Sequence, residues 1–425
     1  MTAVRKFRPA HLAAVVAASL VVSACAGSAG TEGEGGGGDG FDYGASQEDV
    51  DAALDDLDPV TITYQAGAQS PQSVSALSAH NLKEYVEGRS GGKITVDVVW
   101  GQAIAGYGEI DDALADGRVD ISYALPIYQP TEHPEFNALA TATAGMPNSP
   151  VLGELVGNAA LVDLAWNSDE LLDRYEERGL TALTPMISTG TYLSVCRDEG
   201  TSLDDMDGRQ IRVASVAHEK QTMALGASPV SMEYVEVFEA LQRGTVDCTF
   251  AQLLPSEESG LLEVANHVAY TSEENSLSGR SAGANLAGVG YQKLPLAYQQ
   301  IIFDSQMEGF AVSNDVITEG HKRAIQQLMD AGGEVTQMAD DADKRIGEVN
   351  DELFADIEES GVIGSDVQER TSETVEKWRQ IAEELEYADE GGFEDMHEWY
   401  DVDEHDFTPL AERLFEEAAL PHRPQ

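Results

Sequence analysis

Three groups of residues in this 425-residue chain are of types and spacings that could do chemistry. Gly279-Arg280-Ser281-Ala282-Gly283 spells GxSxG, the strained turn that presents a serine nucleophile between a buried strand and a helix. The approach here is polar, Glu273-Glu274-Asn275-Ser276, and the continuation Ala284-Asn285-Leu286-Ala287-Gly288 is glycine-punctuated and strand-like, so the match reads as chance. His397, Asp401, Asp403, His405 and Asp406 offer imidazoles and carboxylates within ten residues, types that bind divalent metals. Their spacing fits neither HExxH nor a calcium loop, and acid is the default composition of this chain. They read as a solvated face, and neither a metal nor a cofactor is expected. The third group is the cysteines, Cys25, Cys196 and Cys248, too few for a disulfide-dense scaffold or a four-cysteine zinc site. No phosphate loop or dinucleotide fingerprint occurs.

The elements that must position any site rest on apolar cores. The chain is 42% apolar, and its length suits about two globular domains. Its 76 acids oppose 25 lysines and arginines, a formal net charge of −51. Such a field repels phosphate backbones and anionic headgroups, which excludes nucleic acid and basic-patch membrane binding.

The chain begins with Arg5, Lys6 and Arg8, followed by an apolar run from Leu12 to Val22. Eleven helical residues rise about 16 Å, half a bilayer core, so residues 1–24 read as a signal peptide. Val22-Ser23-Ala24-Cys25 resembles the bacterial lipoprotein signal, and the resemblance implies lipidation of Cys25 and a location on the extracytoplasmic face of the membrane. Residues 26–47 are rich in Gly, Ser and acid, and residues 25–58 are expected to form a flexible linker.

Beyond it, Val60 to Tyr64 alternates as a strand. Val74 to Val86 recurs at helical spacing until Gly91-Gly92, and Ile94 to Trp100 is a second strand. An internal echo follows. Glu109 to Ala124 (EIDDALADGRVDISYA) aligns without a gap with Glu236 to Ala251 (EVFEALQRGTVDCTFA), sharing Glu, Ala, Leu, Gly, Val, Asp and Ala at matched positions. Each copy reads as a helix ending at a left-handed glycine and then a short strand, and the spacing fits two similar α/β units. From about Val316 the pattern is mostly helical and acidic, with Glu390 to Asp406 expected to pack at the surface.

Together with GGKITVDVVWGQAI (91–104), LDDMDGRQIRVAS (203–215), LGASPVSMEYVEVFEALQRGTVD (225–247), ANHVAYT (265–271) and YQKLPLAYQQII (291–302), these features resemble the solute-binding proteins of TRAP transporters. The resemblance implies a two-domain α/β clamp of the periplasmic-binding-protein type (type II-like), with a hinge, an interdomain cleft and a helical C-terminal arm. The expected halves are residues 59–187 with 271–310, and 188–270 with 311–425. It implies a small organic acid as ligand, the membrane subunits of a TRAP transporter as partner, and no enzymatic activity. Arg212 would fix the carboxylate and Tyr234 would stack on the ligand, with Gln252, Tyr192 and Gln69 as further contacts. Cys196 and Cys248 would lie side by side and form a disulfide. Where the family commonly has a second arginine, this chain has Thr189-Gly190-Thr191-Tyr192, which disfavours a dicarboxylate. The other readings are a binding lipoprotein of an ATP-driven importer and a secreted hydrolase built on Ser281.

Overall fold

The echoed segments become the middle strands of two sheets. A computed structural model describes residues 40–425; the leader and Cys25 lie outside the described residues. In chain order the strands are β1 (Val60–Gln65), β2 (Ile94–Val99), β3 (Ile121–Ala124), β4 (Thr181–Ser188), β5 (Leu193–Cys196), β6 (Gln210–Val213), β7 (Ser228–Ser231), β8 (Cys248–Ala251), β9 (His267–Tyr270), β10 (Ser281–Ala287) and β11 (Glu334–Gln337). One sheet runs β2-β1-β3-β10-β4 and the other β7-β6-β8-β5-β9-β11. Their polarities match position by position. In the first, β1 is parallel to β2 and β3, while β10 is antiparallel to β3 and β4. In the second, β6 is parallel to β7 and β8, while β5 is antiparallel to β8 and β9, and β11 adds a parallel edge.

The shared residues are the working parts of this junction. Gly117 and Gly244 follow the helices Ile110–Ala115 and Val237–Arg243 at φ +82° and +69°, a conformation that costs other residues a Cβ clash. The Ala113 carbonyl accepts from Arg118 and Val119 N–H, and the Ala240 carbonyl from Thr245 and Val246 N–H. The Asp120 carboxylate then accepts from Thr63 N–H at 2.7 Å, and Asp247 from Gln210 N–H at 2.8 Å, each tying the incoming strand to its neighbour.

Between the sheets and the outer layer lies the helix Leu152–Trp166, buried at every position after Leu152. Its apolar surface carries three buried polar side chains, Glu154, Asn158 and Asp163. The long helix Leu296–Asp330 runs beside it.

The C-terminal arm straddles both halves rather than joining the second alone. The helix Asp340–Ser360 reaches the second half through Asn350, which accepts from Gln221 Nε2 at 2.7 Å. The helix Val367–Glu384 instead docks on Leu152–Trp166, where the indole of fully buried Trp378 and the Lys377 ammonium both donate to Asp163, at 2.7 and 2.8 Å. Arg423 closes the arm with a bidentate pair to Asp304 at 2.7 and 2.9 Å. The stretch 390–406 is acidic on its outer side but anchored by buried Phe393, Met396 and Tyr400.

Within the linker expected over 25–58, residues 40–58 are packed against the fold. Phe41 N–H donates to Gln300, Ser46 caps the helix Gln47–Leu54, and Val50 and Leu54, one turn apart, are buried. That i, i+4 pair supplies the apolar contact that the composition of residues 26–47 lacks.

Cys196 and Cys248 face each other in the β5–β8 register and are joined by a disulfide. It closes a loop of 52 residues, which in the chain-entropy model stabilises the fold by about 4 kcal/mol. The C196A/C248A variant is therefore expected to unfold at distinctly lower denaturant than the oxidised protein, and to coincide with the reduced wild type in the same titration.

Candidate functional site

Residues from both sheets converge on one cavity of about 680 Å³. Arg212 enters it from β6, in the middle of a short strand flanked by β7 and β8, with only 1% of its surface exposed. Its Nε donates to the Met232 carbonyl at 3.0 Å and an Nη reaches the Tyr128 hydroxyl at 3.4 Å. The guanidinium carbon lies 5.6 Å from the centre of the Tyr234 ring. Among the described residues no carboxylate pairs with it. A buried guanidinium held only by a carbonyl, a phenol and a ring retains free N–H groups and an uncompensated charge. That is the arrangement a bound carboxylate would complete.

Six tyrosines share the wall: Tyr64, Tyr107, Tyr123, Tyr128, Tyr192 and Tyr234. Burial pushes the hydroxyls of Tyr107 and Tyr234 up to about 12 and those of Tyr64, Tyr123 and Tyr192 higher still, so these five stay protonated and can donate. Arg212 is the one lysine or arginine on the wall. The expected residues Arg212, Tyr234, Tyr192, Gln252 and Gln69 all line this cavity. Gln69 stands at an exposed position. Gln252 has a prior engagement: its amide nitrogen donates to Thr189 Oγ1 at 2.5 Å and to the Gly190 carbonyl at 3.3 Å, bracing the crossover between β4 and β5.

That crossover also explains the missing second arginine. Arg280, 2% exposed, is the other deeply buried cation nearby, but it is spent on Glu154 at 2.5 Å, Asn158 at 3.0 Å and the Pro147 carbonyl at 2.7 Å. The second oxygen of Glu154 accepts from Thr191 N–H at 2.7 Å, beside Gly190 at φ +100°. Glu154 thus holds two of the three chain passages between the sheets, β4 to β5 and β9 to β10, and Arg280 is withdrawn from the cavity.

Ser281 is no nucleophile elbow. It opens β10, fully buried, and its hydroxyl donates to the Ile187 carbonyl at 2.7 Å and to the Gly283 carbonyl. In the tail cluster Asp401, Asp403 and Asp406 are exposed, while His405 is stacked between Tyr400 and Phe407. A group of possible ligands that sequence spacing did not bring out, Glu199, His267 and Glu334, gathers where β11 joins β9, with both glutamates exposed.

Residues missed from the sequence include Tyr128, Asn285, Gln306 and Asn314, all on the cavity wall. Asn314 accepts from Asn158 at 2.8 Å, and Asn285 donates to Gln306 at 3.2 Å while its own Oδ1 is shielded and without a partner. Tyr123 alone had a trace, since it sits in the echo opposite Phe250. At the rim, Glu258 accepts from Ser75 N–H and Oγ at 2.9 and 3.0 Å, bridging a helix of the first sheet and one of the second.

Residues 65–360 match the model of the family described as bacterial extracellular solute-binding protein, family 7. The chain belongs to this family. Among curated relatives, the C4-dicarboxylate-binding periplasmic protein DctP of Rhodobacter capsulatus is 24% identical over 285 residues, covering 60% of this chain and 81% of the relative. A TRAP solute-binding protein of Rhodoferax ferrireducens T118, solved with copurified benzoate, superposes with a TM-score of 0.64 at 20% identity, covering 76% and 99% of the two chains. The sugar acid binding protein DctPAm of Advenella mimigardefordensis, solved with galactonate, gives 0.60 at 22% identity, covering 76% and 100%. The fold is the two-domain α/β clamp of these solute-binding proteins. No helix among the described residues is long and apolar enough to cross a membrane.

Two predictions follow from the crossover. Replacing Glu154 by Gln leaves Arg280 buried without a counter-charge, which typically costs about 3–5 kcal/mol, read as a loss of unfolding free energy in denaturant. His218, on the helix Val216–Ala224, donates to the Ser278 carbonyl, and burial, aided by the Arg212 charge, lowers its pKa from 6.5 to about 4. Above pH 6.5 it is neutral folded or unfolded. As pH falls towards 4 only the unfolded chain takes the proton, so roughly 3 kcal/mol of stability drains away over that window and the loss levels off below it. H218Q, which keeps a donor to Ser278, should show a shallower decline of stability between pH 6.5 and 4.

Proposed function

We propose that this protein is an extracytoplasmic receptor that binds a small organic acid in the cleft between its two sheets and delivers it to a TRAP-type membrane transporter. The observation that carries this is the Arg212 guanidinium, buried, uncompensated and opening on a cavity walled from both halves. In a chain of net charge −51 the general field opposes an anion, so a local cation is what lets one bind. Tyr234, beside the guanidinium, offers a ring face to the ligand, and Tyr192, Gln69 and Gln252 complete the contacts.

The organic acids named for the relatives, C4-dicarboxylate, benzoate and galactonate, support the ligand class. The single cation on the wall favours one carboxylate over two. Membership in the family, and the TRAP solute-binding proteins among the structural neighbours, support the partner. The mechanism is binding with closure of the two domains and no covalent step, consistent with the packed hydroxyl of Ser281. Anchoring through a lipid on Cys25, which lies in a lipoprotein-like leader, would keep the receptor near its transporter.

R212A is expected to weaken binding of a carboxylate ligand by about 2–5 kcal/mol, roughly 30-fold to several thousand-fold in Kd by calorimetry, with circular dichroism unchanged. An unaltered Kd would remove Arg212 from the site and this reading with it.

A further inference from the structure

The cavity does not end at the tyrosines around Arg212. Its wall continues along the partly buried face of the long helix through Gln306 and Phe310, passes Trp166, and includes Leu414 and Phe415 of the C-terminal arm. Leu414 and Phe415 belong to a segment beyond residue 360, where the family match stops. Its 680 Å³ falls in the middle of the ~300–1,000 Å³ typical for sites that enclose drug-sized ligands. Apolar side chains that face a void lose packing contacts on that side, so a chamber of this kind costs stability unless a ligand fills it. The end of the cavity at Trp166, Ala411, Leu414 and Phe415 is apolar, and among the described residues Arg212 is the cavity's one lysine or arginine, so a second carboxylate placed there would be desolvated without a partner. Asn285 Oδ1, shielded and unpartnered on the same wall, matches a hydroxyl or amide N–H on the ligand.

We propose that the C-terminal arm is a wall of the binding site, and that the ligand is a monocarboxylate with an extended apolar body: its carboxylate meets Arg212 and its far end lies against Leu414 and Phe415. This rests on the organic-acid reading of the cavity and sharpens it to a size and polarity. The arm is then a specificity element as well as a structural strap.

The test is isothermal titration calorimetry of the purified protein with benzoate, 4-phenylbutyrate, hexanoate, octanoate, decanoate and succinate, using wild type and L414F, which intrudes on the chamber. Affinity should rise by roughly fourfold per methylene along the alkanoates until the chamber is full. Succinate should be the weakest ligand, and L414F should weaken decanoate at least tenfold more than it weakens benzoate. A411V, a smaller intrusion at the same end, must give the same ordering if L414F does not fold. The proposal is overturned if decanoate binds no tighter than benzoate, if succinate binds best, or if the folded arm variants shift all ligands equally. Binding of none of the acids would instead overturn the organic-acid reading itself, an outcome distinct from the others.

Discussion

One carboxylate, that of Glu154, sets the terms for everything around it. It is fully buried, and its two oxygens take up the Arg280 guanidinium and the Thr191 N–H, from two of the three chain passages between the sheets. A buried acid is stable only if its charge and lone pairs are met, so these partners are obligatory and the crossovers are fixed relative to the helix Leu152–Trp166. The same helix presents Asn158 to Arg280 and Asn314, and Asp163 to the arm. Three polar residues on an otherwise apolar helix thus tie together the crossovers, the cavity wall and the C-terminal layer.

Arg212 and Arg280, two of the three buried arginines, differ in how they are paired. Arg280 is neutralised within the protein, whereas Arg212 has only neutral neighbours. Both are almost without solvent contact, so the difference is one of pairing and not of exposure. An acidic protein that left both unpaired would carry two desolvation costs; pairing one internally leaves a single uncompensated cation.

Much of the sheet architecture was legible because its determinants are local. A helix stop at glycine, an aspartate that bonds the neighbouring strand and an apolar strand follow within a few residues of one another, so the echo at Gly117 and Gly244 could be read directly. Arg212 was legible only through resemblance, since nothing in the local pattern distinguishes it from Arg209 three residues earlier. Asn285 and Gln306 escaped because a hairpin-like return brings β10 and the long helix together over the cavity, a long-range placement without a local signature. The helix Leu152–Trp166 shows no amphipathic period for the plain reason that it has no solvent face. The order of residues 40–58 was hidden by the glycine-rich composition just before them, and the path of the arm over both halves depends on the single indole and ammonium that find Asp163.

The rim contact between Glu258 and Ser75 bears on kinetics more than on equilibrium. Glu258 is exposed and Ser75 half-buried, and water can take over either hydrogen bond as soon as it breaks. A contact of this kind is weak and quickly remade, so it marks where the two halves meet at the rim without locking them together.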